Sequence, residues 1–157
     1  MPLDPSGRPD LFTLEAGEAL QRLGRLLGDD QSPGPDAIRS ARVLRGASLL
    51  GGPPDFTRAA AALEAAIKAV SEGTLPWSAR LAEVLRGAVE GLEVLMRRPR
   101  PWAQADSESA LRLAGEIERA RRLDREHCVD DVRARPALGE ITARAFEHEI
   151  EDLGRGA

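Results

Sequence analysis

The sequence predicts an all-α protein: an antiparallel four-helix bundle with an additional C-terminal helical pair. Three observations carry that expectation. Alanine, leucine, arginine and glutamate dominate, tyrosine is absent and β-branched residues are sparse, a composition that favours helix over strand. Apolar residues recur at i, i+3, i+4 and i+7 in one segment after another, which puts them on one face of a helix. Short stretches rich in Gly and Pro separate the segments. Such stretches stop helices and leave too little chain for anything but antiparallel neighbours.

The elements follow in order. Residues 1–9, M-P-L-D-P-S-G-R-P, read as a flexible lead-in without the apolar core of a signal peptide. The first helix is expected from Asp10, a good N-cap, to about Leu27, with Phe12, Ala16, Ala19, Leu23 and Leu26 as its stripe, widened by Leu20 and Leu27. Gly28 ends it. Asp29 and Asp30 in the following loop read as solvated acids rather than a metal site. The second helix runs from Pro35, suited to N1, to about Leu50, with Ala37, Ile38, Ala41, Leu44 and Ser48 inward. Gly51-Gly52-Pro53-Pro54 stops it. The third spans about Asp55 to Glu72, with Phe56, Ala59 or Ala60, Leu63, Ala66 or Ile67 and Val70 inward and Gly73 at its C-cap. The fourth begins near Pro76 and carries Trp77, Leu81, Val84, Leu85, Ala88, Leu92, Leu95 and Met96. It ends at R-R-P-R-P, where Pro99 and Pro101 cannot continue a helix. Arg97, Arg98 and Arg100 there suit either a phosphate or the negative end of a helix.

The bundle is thus placed at residues 10–98 and a C-terminal extension at 103–157. The extension is charged, with a narrower stripe of Ala110, Leu113 or Ala114, Ile117 and Ala120 and Ser107 as its cap. Pro136 breaks it, and a last helix is expected over about Ala137 to Leu153. This pair could dock on the bundle, join a second copy in a homodimer, or bind a partner.

Composition excludes several functions. The net charge is −4 and the charges are interspersed, so there is no basic face for nucleic acid. No apolar run is long enough for a membrane span. Cys128 is the only cysteine, which rules out an internal disulfide and fits a reducing cytoplasm. His127 lies in R-E-H-C-V-D-D and His148 in F-E-H-E-I-E. His127 shares a helical face with Asp130 or Asp131, but Cys128 points elsewhere and no second ligand pair is evident. No nucleophile stands with a base and an orienting group. Glu64, Glu83, Glu90 and Glu93 fall on polar helix faces, where acids serve solubility. No enzyme, metal or cofactor is expected.

One stretch carries a signature. Ala41 to Gly52 reads A-R-V-L-R-G-A-S-L-L-G-G. Arg42, Arg45, Gly46 and Leu49 share one face. A mid-helix glycine costs about 1 kcal/mol relative to alanine. Either something approaches the backbone at Gly46 or a neighbouring helix packs closely there. The stretch resembles the second helix of histidine-containing phosphotransfer domains, whose signature is close to A-H-x-L-K-G. Ala41, Leu44 and Gly46 match, Arg45 replaces the lysine, and Arg42 stands where that family carries its phosphorylated histidine. F-T-L-E-A-G-E-A-L-Q-R-L from Phe12 and A-A-L-E-A-A-I from Ala61 are similar to the family's first and third helices. The resemblance covers about Asp10 to Arg98.

The resemblance implies an up-down bundle of bacterial two-component signalling that meets a receiver domain or a histidine kinase. It also implies that the residue at position 42 would accept the phosphoryl group. A guanidinium stays protonated and offers no lone pair to phosphorus, so Arg42 cannot. Arg42 and Arg45 could instead dock on a receiver's acidic pocket. The expected function is therefore recognition without transfer, centred on Arg42, Arg45, Gly46 and Leu49. Two other readings stay open: a dimerisation or scaffold module working through the C-terminal helices, and an active phosphotransfer protein using His127 or His148.

Overall fold

The computed structural model describes residues 10–134, and over them the chain forms five helices: α1 (Leu11–Gly28), α2 (Pro35–Gly51), α3 (Pro54–Ser71), α4 (Ala79–Met96) and α5 (Gln104–Ala134). The expected lead-in, the expected last helix and His148 lie outside the described residues. None of the described helices is long and apolar enough to cross a membrane.

The first four helices close a ring in which α1 touches α2 and α4, and α3 touches the same two. Directions follow from register. A Cβ on Gly17 of α1 would sit 3.8 Å from Met96 of α4, and one on Gly24 3.9 Å from Val89. Arg86 Nε donates to the Leu27 carbonyl at 2.6 Å. Numbers that rise along α1 fall along α4, so the pair is antiparallel. At the other end Phe12 opens α1 beside Gly51 and Gly52 at the close of α2, so these two are antiparallel as well.

Each element forms for a local reason. Asp10 caps α1: its carboxylate accepts the Thr13 N–H at 3.3 Å. Pro35 and Pro54 stand at the starts of α2 and α3, where a missing N–H costs nothing. Gly52 is required by packing. A Cβ there would come within 2.8 Å of both the Phe12 ring and the Ser48 carbonyl. Gly73, at φ +73°, supplies the left-handed turn after α3.

Two starts differ from expectation. α4 begins at Ala79 rather than near Pro76, because Ser78 is its cap and accepts the Leu81 N–H at 3.0 Å. Trp77 precedes the helix and packs half-buried on the core. α5 begins at Gln104, so Ser107 lies inside it and is not a cap. The Asp106 carboxylate in the first turn reaches back to the residue before the helix, accepting the Ala103 N–H at 3.2 Å.

The core is built from the expected stripes. Phe12, Leu20, Leu23, Leu44, Phe56, Leu63, Ile67, Leu81, Leu85 and Leu92 are buried, each contributing about 1.5–3 kcal/mol of transfer free energy. Leu26, Ile38, Val84 and Met96 are only partly buried at its margin. Phe12 and Phe56 meet edge to face at 5.2 Å. The core does not stop at Arg98, where the sequence reading closed the bundle. Ala110, Ala114, Ile117 and Ala120 of α5 belong to it, and Leu113 lies over Gly91 of α4. Asp124, buried on α5, accepts the Ser78 hydroxyl at 2.5 Å. The compact unit that holds the bundle ends at Arg125. From Glu126 to Ala134 the residues of α5 are exposed.

Candidate functional site

The outer side of α2 gathers the residues that the signature singled out. The helix turns Ala37, Ser40, Ala41, Leu44, Ala47 and Ser48 inward. Most of these are small, so α2 can sit deep between α1 and α3. Ser48 satisfies its hydroxyl locally, donating to the Arg45 carbonyl at 2.7 Å, and so enters the core without an unpaired donor.

Arg42, Arg45 and Leu49 are exposed on the opposite side, and Gly46 lies between them, half-buried. A Cβ built on Gly46 would meet nothing within 4 Å. No helix of the described chain therefore needs a glycine there. The close-packing reason for Gly46 is excluded within residues 10–134, and open approach to the backbone from outside is left.

Glu64 completes the cluster. Its Oε2 lies 2.5 Å from Arg45 Nε and its Oε1 3.6 Å from Arg42 Nε. The two arginines share one carboxylate of α3. Glu64 is 13% exposed, against 61% for the Arg42 side chain and 46% for that of Arg45. The expectation that Glu64 merely serves solubility is corrected: it is largely enclosed and bridges two helices. Its neighbours explain the burial, since Ala60, Ala62, Leu63, Ala66 and Ile67 around it are core residues. A single acid inside A-A-A-A-L-E-A-A-I was a readable sign of an intended partner.

Sequence reasoning named Leu49, which is 66% exposed, but missed the rest of the apolar part of this side: Leu50 is 89% exposed. Val43 is exposed as well. Two cations, one bridging carboxylate, an uncovered glycine and three exposed aliphatic side chains thus share the outer turns of α2. Neither guanidinium, nor glycine, nor leucine can accept a phosphoryl group. What the arrangement can do is bind: guanidinium forks for an acidic group, leucines for an apolar one.

The other basic cluster is used differently. Arg100 pairs with Asp10 and donates to the Gly51 carbonyl at 3.2 Å and to Thr13 Oγ1 at 3.4 Å. Its guanidinium also lies 5.2 Å from the Phe12 ring centroid. Arg98 approaches Asp106 at 3.7 Å. Of the two readings of that cluster, Arg100 follows the helix-end one, but at the C-terminus of α2 rather than of α4. A groove of about 670 Å3 beside them is lined by residues of α1 and of the end of α4. His127, Cys128, Asp130 and Asp131 are all exposed on α5. Among the described residues no three His, Cys, Asp or Glu side chains gather as a metal site.

No protein-family model matches this chain, and neither the curated proteins nor the solved structures contain a match to it.

Proposed function

We propose that the chain is a non-catalytic, phosphotransfer-like docking module of bacterial two-component signalling, working in the cytoplasm. It binds a receiver domain or a histidine kinase through the outer side of α2. The observation that carries this reading is Gly46. The glycine costs helix stability, leaves space where a Cβ would meet nothing within 4 Å, and, unlike the equally open Gly87 and Gly115, lies beside an exposed leucine and two arginines that share one carboxylate. A partner's backbone or loop that must come close to α2 gives it a reason.

The mechanism is recognition by complementary charge and apolar contact. A receiver's acidic pocket meets Arg42 and Arg45. The apolar rim of that pocket covers Leu49, with Leu50 and Val43 beside it. Charge complementarity speeds encounter and sets orientation, and burial of the leucines supplies the larger share of the affinity.

Arg42→Glu and Gly46→Leu are expected to abolish binding of a cognate receiver in titration calorimetry, the first by repulsion and the second by filling the approach. Normal binding by both variants would remove α2 from the interface. A second reading is favoured by Val129 and Val132, which α5 exposes beyond the bundle: a dimerisation module working through the C-terminal helices. Sedimentation of the full chain against its Val129→Asp/Val132→Asp variant probes it, and a dimer lost in a variant that stays folded would support it. An acid-labile phosphoryl label on His127 or His148 would replace both readings by active transfer.

A further inference from the structure

We infer that Glu64 is a built-in competitor for the Arg42–Arg45 pair, and that it sets how strongly this surface responds to a partner's negative charge. The inference rests on the docking role given to α2 and deepens it. Each carboxylate oxygen of Glu64 faces a different arginine, Oε2 toward Arg45 at 2.5 Å and Oε1 toward Arg42 at 3.6 Å. One internal anion therefore already does for both guanidiniums what an external acid would do. The cluster carries two positive charges and one negative, so a partner meets a net charge of one where the sequence shows two.

Enclosure makes the competitor strong. Glu64 stands on α3 and is mostly shielded from water, so its carboxylate is less solvated than that of a surface glutamate. An incoming carboxylate or phosphoryl group can attract the guanidiniums only while also being repelled by Glu64 a few ångströms behind them. Coulomb energies of this kind fall off slowly at short range and are weakly screened next to a half-buried charge. The consequence for recognition is specific. Charge adds less in the native protein than two arginines would give, and the exposed leucines carry more of the binding. Strongly anionic groups without an apolar rim are held weakly.

Glu64→Gln removes the charge and keeps the size and one acceptor oxygen. The test is an NMR titration of the full chain with inorganic phosphate at constant ionic strength, following the Nε–H signals of Arg42 and Arg45. Phosphate is expected to bind Glu64→Gln at least about threefold more tightly than the native protein, the factor given by one unit charge about 7 Å away at the dielectric constant of water, and more tightly still where screening is weaker. Glu64→Asp, which retains the charge, is expected to bind phosphate as weakly as the native chain. Circular dichroism confirms that each variant is folded. Binding by Glu64→Gln that is equal to or weaker than native overturns the inference, because Glu64 would then orient the arginines instead of competing for them. Tight binding by Glu64→Asp also overturns it, since charge would not be the cause. A parallel titration with a receiver domain separates the two claims. If phosphate responds as expected and no receiver binds either protein, the competition stands and the docking role fails. If a receiver binds the native protein but Glu64→Gln gains nothing for receiver or phosphate, the docking role stands and the competition fails.

Discussion

Asp10 and Glu64 are carboxylates of similar burial, 10% and 13% exposed, and both meet arginine, yet the two clusters are built for different ends. At Asp10 one guanidinium serves many acceptors. Arg100 reaches the Asp10 carboxylate, the Thr13 hydroxyl, the Gly51 carbonyl and the Phe12 ring, and so ties the chain after α4 to the start of α1 and the end of α2. At Glu64 two guanidiniums share one carboxylate, with most of the Arg42 side chain in water. The first arrangement spends the donors of an arginine inside the fold. The second sets one carboxylate against two arginines and leaves most of the Arg42 side chain, and nearly half of that of Arg45, exposed. The two clusters thus differ in how many internal acceptors each arginine meets.

That contrast can be broken by mutation, and the largest effect is expected at Arg100. Arg100→Ala should cost about 1–2 kcal/mol of stability, the range for losing a partly exposed, charge-assisted hydrogen-bond network. A lowered urea midpoint at unchanged slope is the readout. Unchanged stability would mean that the network is ornamental and the contrast empty. The next effect has the opposite sign. Gly46→Ala should raise stability by about 0.5–1 kcal/mol, since the helix gains from alanine and the space at Cβ is open. A loss would show that Gly46 serves the fold after all. The smallest effect belongs to Arg42→Gln, expected to shift stability by no more than about 0.5 kcal/mol, as surface substitutions do. A cost as large as that of Arg100→Ala would turn the recognition cluster into a second structural one. Gly46→Leu sharpens the contrast further: it should leave stability unharmed while abolishing receiver binding.

Much of the fold was legible in the chain. The boundaries of α1, α2 and α3, and nearly every inward residue on them, follow from 3.6-residue periodicity and from Gly and Pro at the breaks. The starts of α4 and α5 were less legible, because several residues near each could cap. Ser78 caps α4 by accepting the Leu81 N–H, so the helix starts after Pro76, and Ser107 lies inside α5, where Asp106 reaches back to the Ala103 N–H. The candidate site was legible in part. Spacing alone put Arg42, Arg45, Gly46 and Leu49 on one face. It could not show Glu64, nineteen positions beyond Arg45, since periodicity speaks only of residues on the same helix. Nor could it show that Leu50 would be left uncovered, because which flank of a helix is covered depends on where the next helix lies.

By itself, then, the sequence determined the helices and the inner and outer side of each, since these are properties of local spacing and side-chain chemistry. Only the tertiary structure decided which charges meet, that α5 enters the core through Ile117, and that Gly46 faces open space. The physical reason is one of range. Backbone hydrogen bonds and hydrophobic periodicity act over three or four residues, whereas an ion pair, a close approach or an empty space is made by segments that only packing brings together.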